Sequence, residues 1–290
     1  MQKTDSYLKI PAYAKINLSL DVVGRRPDGY HLVRMIMQTL QLHDDIELSE
    51  TGEAGVHLET DCPNLPVDRS NLIVRAAERM LKEFAPEKGV YIRLAKRIPL
   101  SAGLAGGSTD AAAVLRGINS LFSLRLDSKE LCRIGVELGA DVPFCVCGGT
   151  ALSEGIGEIL TPVPPLPECA IVLAKPRIPV STADIYHRFD QQTEVDHPDI
   201  DGQRKALLKG DLNGVVRHMK NVLEPVTAGL HPEIHVIRKR LLEMEALGAR
   251  MSGSGPTVFG LFSNKEKAEQ AVRVLQKEEP SQEILLTAPV

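Results

Sequence analysis

Apolar and polar positions alternate through "AKINLSLDVV", residues 14–23, which is the period of a strand with one buried face. "RPDGYH", 26–31, carries the proline, aspartate and glycine of a turn, and "LVRMIMQTLQLHDDIELSE", 32–50, resumes an extended pattern whose middle also reads as helix. In "SNLIVRAAERMLKEF", 70–84, apolar residues recur every three or four positions behind Ser70 and Asn71, either of which suits an N-cap, so a helix is predicted there. "VYIRLAKRIP", 90–99, alternates again as a strand. Helices are predicted at about 109–122 and 128–138, then short strands at "TALSEG", 150–155, and "CAIVLAKP", 169–176. A helix starting near Thr182 and two further helices follow, ahead of the glycine-rich "MSGSGPTVFGLF", 251–262. The mixture predicts an α+β protein with two lobes. The prolines of "TPVPPLPE", 161–168, mark the expected division into residues 1–161 and 162–290.

Composition narrows the function classes. A chain of 290 residues with a net charge of -4 and interspersed signs offers no basic field for nucleic acid. No apolar run approaches the roughly 20 residues of a membrane span, and "MQKTDSYLKI" lacks the apolar core of a signal peptide, so a cytoplasmic protein without nucleic-acid or membrane partners is expected. The five cysteines show no C-x-x-C spacing. Cys145 and Cys147 alternate in "PFCVCGGTALS" as on a buried strand and are expected to be reduced core thiols.

The chemistry gathers in "PLSAGLAGGSTDAAA", 99–113. Gly103, Gly106 and Gly107 free the backbone to turn N–H groups into one concavity, and the helix that follows adds the positive end of its dipole. That combination holds phosphate. The loop is no Walker A sequence, since Ser108 follows Gly107 where lysine is required; nor is it G-x-G-x-x-G, since Ala105 stands two after Gly103. Ser108 and Thr109 suit a helix cap, a phosphate contact or a magnesium ligand. Asp110 suits the helix dipole yet repels a polyphosphate, a conflict that a magnesium counter-ion or an outward rotamer would resolve. No lysine stands inside the loop itself.

Three stretches together, "PAYAKINLSLDVVGRRPDGYH", "PLSAGLAGGSTDAAA" and "MSGSGPTVFG", resemble in content and order the motifs of the GHMP kinases, the superfamily of galactokinase, homoserine kinase and mevalonate kinase. The resemblance covers essentially the whole chain. It implies an N-terminal lobe similar to ribosomal protein S5 domain 2, a C-terminal ferredoxin-like lobe, and ATP with Mg2+ as cofactors. The "AKINL" and "GYH" elements are similar to the branch whose substrate is a cytidine diphosphate-linked methylerythritol of the non-mevalonate isoprenoid route. The expected reaction is phosphorylation of its 2-hydroxyl without a covalent intermediate, by a monomer or homodimer. A relative acting on another small alcohol, or an ATP-binding protein without catalysis, are the alternatives; the latter would be expected to lack Lys15 or Asp141, and both are present.

Residue by residue, the resemblance gives Pro99, Leu100, Ser101, Ala102, Gly103, Leu104, Ala105, Gly106, Gly107, Ser108 and Thr109 to the ATP phosphates, with Ser252 to Pro256 as a supporting glycine loop. Asp141 of "GADVPF" matches the proton acceptor, and Lys15 of "AKINL" the lysine beside it, whose charge keeps a carboxylate ionised. Tyr30 and His31 match the cytidine end, Tyr186 an aromatic that stacks on cytosine, and Asn17 and Thr182 polar contacts to the rest of the substrate. Ala105, Thr109 and Asp110 depart from the letters of other relatives, which leaves the magnesium ligand open, with Ser108 as candidate. Taken alone, Asp141 two residues before Pro143 also reads as a turn or cap, and Lys15 as the outward member of an alternating strand.

Overall fold

The computed structural model describes residues 7–279 and 282–290. The chain forms two compact units. The first comprises the chain up to Ala14, Leu42–Ile98 and Ala105–Gly148; the second comprises Lys15–Gln41, Pro99–Leu104 and Gly149–Val290. Both are discontinuous in sequence, so a single cut at 161/162 does not separate them.

Strands β1 (Leu8–Arg25) and β2 (His31–Thr51) are long and continuous. The helical option in the middle of β2 is not taken, because Met35 to Gln38 are paired in register with Ser153 to Thr150. In the first unit the far half of β2 pairs antiparallel with β4 (Gly89–Ala95), and β4 pairs parallel with β3 (Gly55–Thr60). Helix α1 (Leu72–Phe84) starts at Asn71, whose side chain accepts from the Ile73 N–H, and buries Ile73, Val74, Ala77 and Met80. It packs on α2 (Gly106–Leu121), an alanine-rich helix buried along most of its length. Gly117 of α2 faces the strands, since a Cβ there would lie 2.6 Å from Leu48 of β2 and 2.7 Å from Ile10 of β1.

Helix α3 (Ser128–Leu138) is capped by Asp127 and packs on α4 (Val142–Cys147). The strand expected for Cys145 and Cys147 is thus a helix. Six residues are too few to display a 3.6 period, whereas Pro143 in the first turn is pre-organised for helix. Gly135 of α3 receives Val142, and a Cβ at Gly135 would lie 2.8 Å from it.

In the second unit the near half of β2 pairs with β5 (Thr150–Glu154), and β5 with β6 (Ile159–Pro162). Strand β7 (Ala170–Lys175) is followed by α5 (Thr182–Phe189), α6 (Ile200–Leu208), α7 (Leu212–His218), α8 (Glu224–Leu230) and α9 (Glu233–Glu243). Then come β8 (Gly248–Met251), β9 (Val258–Phe262), α10 (Lys265–Glu278) and β10 (Glu283–Thr287). The sheet order β10-β7-β9-β8 is antiparallel throughout, with α9 and α10 packed on it, which is the expected ferredoxin-like arrangement. More helices occupy this region than the sequence pattern predicts. Of these, α6 and α7 start at Asp199 and Asp211, whose side chains accept from the N–H groups of Gly202 and Gly214, and those glycines break any visible period.

Candidate functional site

Alternation along β1 would turn Lys15 and Asn17 to one side, and the structure buries both, at 4% and 1% exposure. The outward reading of Lys15 is therefore excluded. A buried ammonium needs a partner. Lys15 Nζ donates to Asn17 Oδ1 at 2.8 Å, while the Lys15 backbone N–H donates to the Leu104 carbonyl. Asn17 N–H in turn donates to Ser252 Oγ at 3.3 Å, and Ser252 Oγ donates to the Gly103 carbonyl at 2.9 Å. Gly103 has φ +72°, and a Cβ there would lie 2.4 Å from the Ser252 carbonyl, so this approach admits only glycine.

The turn that carries Ser252 is itself tightly held. Asn221 Nδ2 donates to the carbonyls of Met251 and Gly253, both at 2.8 Å, and Thr227 Oγ1 reaches the Ser254 carbonyl. Thr182, the first residue of α5, shares a 2.8 Å hydroxyl contact with Ser254. Lys15, Asn17, Gly103, Ser252 and Thr182 therefore belong to one bonded network in the second unit. Asn221 and Thr227 escaped the sequence reading because a buried amide and a helical threonine carry no motif.

In the first unit, α2 begins at Gly106 behind Ala105, which is left-handed at φ 58° and ψ 29° and supplies no capping side chain. Ser108 and Thr109 lie within the first turn and do not cap the helix. The N–H groups of this turn lack the side-chain oxygen that ordinarily meets them, which fits an anion supplied from outside. Asp110 is not turned outward. It is buried, and its Oδ2 accepts from Lys96 Nζ at 2.9 Å, while the same ammonium bonds Asp44. Asp44 also accepts from the backbone N–H groups of Arg97, at 2.5 Å, and Ile98, at 2.8 Å. A lysine outside the loop thus holds Asp110 in place.

Both flanks of the loop are tied to this cluster, Arg97 and Ile98 through Asp44, and the first turn of α2 through Asp110. Burial acts against the Lys96 charge, but the two carboxylates outweigh it and raise its pKa. Burial pushes Asp110 up to about 8, the nearby Asp44 charge adding to the effect while Lys96 opposes it. The upward direction agrees with the geometry: Asp44 has three donors, whereas Asp110 Oδ1 is buried without a partner. Lys96 and Asp44 had no sequence signal beyond an ordinary strand end.

Asp141 stands at the N-cap position of α4 with αR backbone and makes no side-chain capping bond. The capping role that its position beside Pro143 suggested is not the one it plays.

In the second unit, His31 at the start of β2 stacks on Tyr186 of α5, with centroids 4.6 Å apart and planes 29° apart. His31 Nε2 lies 2.7 Å from Asp190 Oδ1, and Arg25 reaches the other oxygen at 3.0 Å. A carboxylate only accepts, so Nε2 carries the hydrogen of this bond. Tyr30 is 59% exposed, its N–H donating to Asp28 of the turn. Asp190, which the sequence reading passed over, lies four residues beyond Tyr186, the helical spacing that places it on the same side of α5.

Family models of known proteins match both parts of the chain, "GHMP kinases N terminal domain" over residues 71–149 and "GHMP kinases C terminal" over 203–281. The chain is 49% identical over 264 residues to a 4-diphosphocytidyl-2-C-methyl-D-erythritol kinase of Lachnoclostridium phytofermentans, covering 91% of each chain. It is 50% identical over 266 residues to the protein of the same name from Alkaliphilus oremlandii, covering 91% of this chain and 90% of that one. A crystal structure of 4-(cytidine 5'-diphospho)-2C-methyl-D-erythritol kinase superposes with a TM-score of 0.83 at 32% identity, over 97% of this chain and 99% of the other. A homoserine kinase from Cytophaga hutchinsonii shares the fold, with a TM-score of 0.79 at 22% identity over 100% of this chain and 96% of that one. On this sequence and structural likeness the chain belongs to the GHMP kinase family.

Proposed function

We propose that this kinase transfers the γ-phosphoryl group of ATP to the 2-hydroxyl of 4-diphosphocytidyl-2-C-methyl-D-erythritol, in the cytoplasm, as a step of non-mevalonate isoprenoid synthesis. The observation that carries the substrate assignment is the 49% identity, over nine-tenths of both chains, to a kinase of that name. The stack of His31 on Tyr186 supports it, since a flat aromatic face beside a hydrogen-bonding imidazole suits a nucleobase.

Phosphoryl transfer asks a protein mainly for position and for compensation of charge. In this reading, Pro99 to Thr109 surround the ATP phosphates, the uncapped first turn of α2 facing them with its N–H groups. Magnesium, when bound, shields the phosphate charge, with Ser108 as a hydroxyl ligand. Among the described residues there is no group of three or more His, Cys, Asp or Glu able to hold a metal, which suits an ion that arrives with the nucleotide.

Asp141 accepts the proton of the 2-hydroxyl as the oxygen attacks. Lys15, oriented by Asn17, stabilises the oxygen's developing charge, and no covalent intermediate forms. Asn17 and Thr182 meet the polar centre of the substrate, and Tyr30, His31 and Tyr186 its cytidine.

The test is ATP turnover with magnesium on this substrate, homoserine and mevalonate in parallel, with the product identified by mass and the phosphate located by NMR. Phosphate on the 2-hydroxyl of the cytidine compound alone is expected. Asp141→Asn should keep ATP affinity and lower kcat by about 10²- to 10⁴-fold. Turnover within a few-fold of the parent would remove Asp141 from this role.

A further inference from the structure

The sequence pattern sets Cys145 beside Cys147, but the fold gives Cys147 a different companion. Cys132 on α3 and Cys147 at the end of α4 bring their Sγ atoms to 3.5 Å, and both are free thiols. Cys132 Sγ also lies 3.5 Å from the Pro143 carbonyl. Cys147 is exposed and Cys132 half-buried, so the pair lies at the surface and not in the core. Cys145 and Cys169 are buried, and Cys62 is half-buried.

We propose that Cys132 and Cys147 are a redox-responsive dithiol, which a peroxide closes to a disulfide that ties α3 to α4 and displaces Asp141. Cys147 is the attacking thiol. The bond from Cys132 favours its thiolate and Arg116 adds to this against burial, which brings Cys147 down to about 7, whereas the same bond and burial push Cys132 up. The Cys147 thiolate attacks one peroxide oxygen, the O–O bond breaks, and a sulfenic acid forms as the first water leaves. Cys132 then attacks that sulfur, giving up its proton, and the sulfenic oxygen departs as the second water. Two thiols are oxidised by two electrons and one peroxide is reduced to two waters.

Bond formation must shorten the Sγ separation from 3.5 Å to about 2.05 Å. The strain falls on a short connection. Helix α3 ends at Leu138 and α4 starts at Val142, so only Gly139, Ala140 and Asp141 join the two elements that the disulfide pulls together. Gly135 against Val142 leaves no slack at their contact. The effect on turnover rests on the role of Asp141 proposed above, whereas the dithiol itself does not.

The experiment treats the reduced full-length protein with hydrogen peroxide at equimolar to tenfold excess, then reads intact mass, peptide mapping and turnover before and after dithiothreitol. A loss of two hydrogens, mapped to a Cys132–Cys147 link, with kcat reduced at least fivefold and restored by dithiothreitol, is the expected result. Cys132→Ser and Cys147→Ser should each keep the parent turnover when reduced and form no internal link. A link involving another cysteine, or sulfinic acid at Cys147 without a link, overturns the dithiol. A mapped link that leaves kcat unchanged overturns the displacement of Asp141. If the reduced protein does not turn over the cytidine substrate, the functional reading fails, while mass and mapping still decide the dithiol.

Discussion

Two hydrogen-bonded clusters of charged and titratable side chains in this molecule are inverses of one another. Lys96 is one donor between two acidic side chains, Asp44 and Asp110; Asp190 is one acidic side chain between the donors Arg25 and His31. Their surroundings differ more than their chemistry. The three side chains of the first are 0–6% exposed, whereas Asp190 is 28% and Arg25 58% exposed. A buried cluster has no water to replace a lost partner, so its members specify one arrangement of the backbone around them. An exposed cluster can exchange its partners for water, and is suited to orienting a side chain that must meet a ligand. The one holds both flanks of the glycine-containing loop 99–105; the other holds His31.

Removing the shared cation should separate the two most sharply. Lys96→Met leaves the buried Asp44 carboxylate without its counter-charge and Asp110 without its donor, and a loss of about 3–5 kcal/mol in urea unfolding is expected. A loss under about 1 kcal/mol would show that water already reaches this cluster, and the contrast in burial would cease to explain anything.

Titration gives the next largest effect. Asp110 has a folded pKa raised to about 8, above its unfolded value near 3.9. Below both values the proton is bound in folded and unfolded chains alike, and the group's stabilising contribution is fully present. Between them the folded chain holds the proton that the unfolded chain releases, so stability falls as pH rises, by up to about 1.4 kcal/mol per unit, and levels off above the folded value. Asp110→Asn mimics the protonated form and should abolish that slope. Unfolding free energies of parent and variant, compared from pH 5 to 9, would show a difference that grows with pH; a constant difference would mean that Asp110 stays ionised beside Lys96.

These clusters also mark how much of the molecule could be read from its letters. Asn71 capping α1 and the strands β1 and β7 follow from local rules, although β1 is buried on both faces from Ala14 to Val22, and the three glycine-containing motifs pointed to a phosphate-handling fold. Lys15, Asn17 and His31 could be singled out because they lie in the first of those motifs, whereas Tyr186 lies outside all three and was reached through the resemblance alone. Lys96, Asp44 and Asp190 were not. Each is an ordinary charged residue whose meaning comes from a partner 14, 52 or 159 positions away, and no periodicity encodes such a distance. Cys147 was misread for the same reason, since its alternation with Cys145 is local and its contact with Cys132 is tertiary.

On the recognition side the effects should be smaller and confined to the substrate. Tyr186→Ala removes the aromatic face, and base stacking is worth about 1–3 kcal/mol, so KM for the cytidine substrate should rise by roughly 5- to 150-fold with kcat and the ATP KM little changed. An equal change in both KM values would place Tyr186 in general scaffolding.

Asp190→Asn is the finest test, because it keeps size and an acceptor oxygen for His31 while removing the charge that Arg25 shares. Exposed ion pairs contribute about 0.2–1 kcal/mol, so KM for the cytidine substrate should rise by no more than about fivefold. The part of that rise due to charge should vanish at high salt, where screening already weakens the parent's pair, so the two KM values should converge as ionic strength increases. Stability should stay within about 0.5 kcal/mol of the parent. A stability loss approaching that of Lys96→Met would mean that Asp190 holds the fold together as Lys96 does, and that burial is not what distinguishes the clusters. A KM gap that persists at high salt would instead assign Asp190 a geometric role, with the orientation of the His31 ring, and not the charge beside it, setting the affinity.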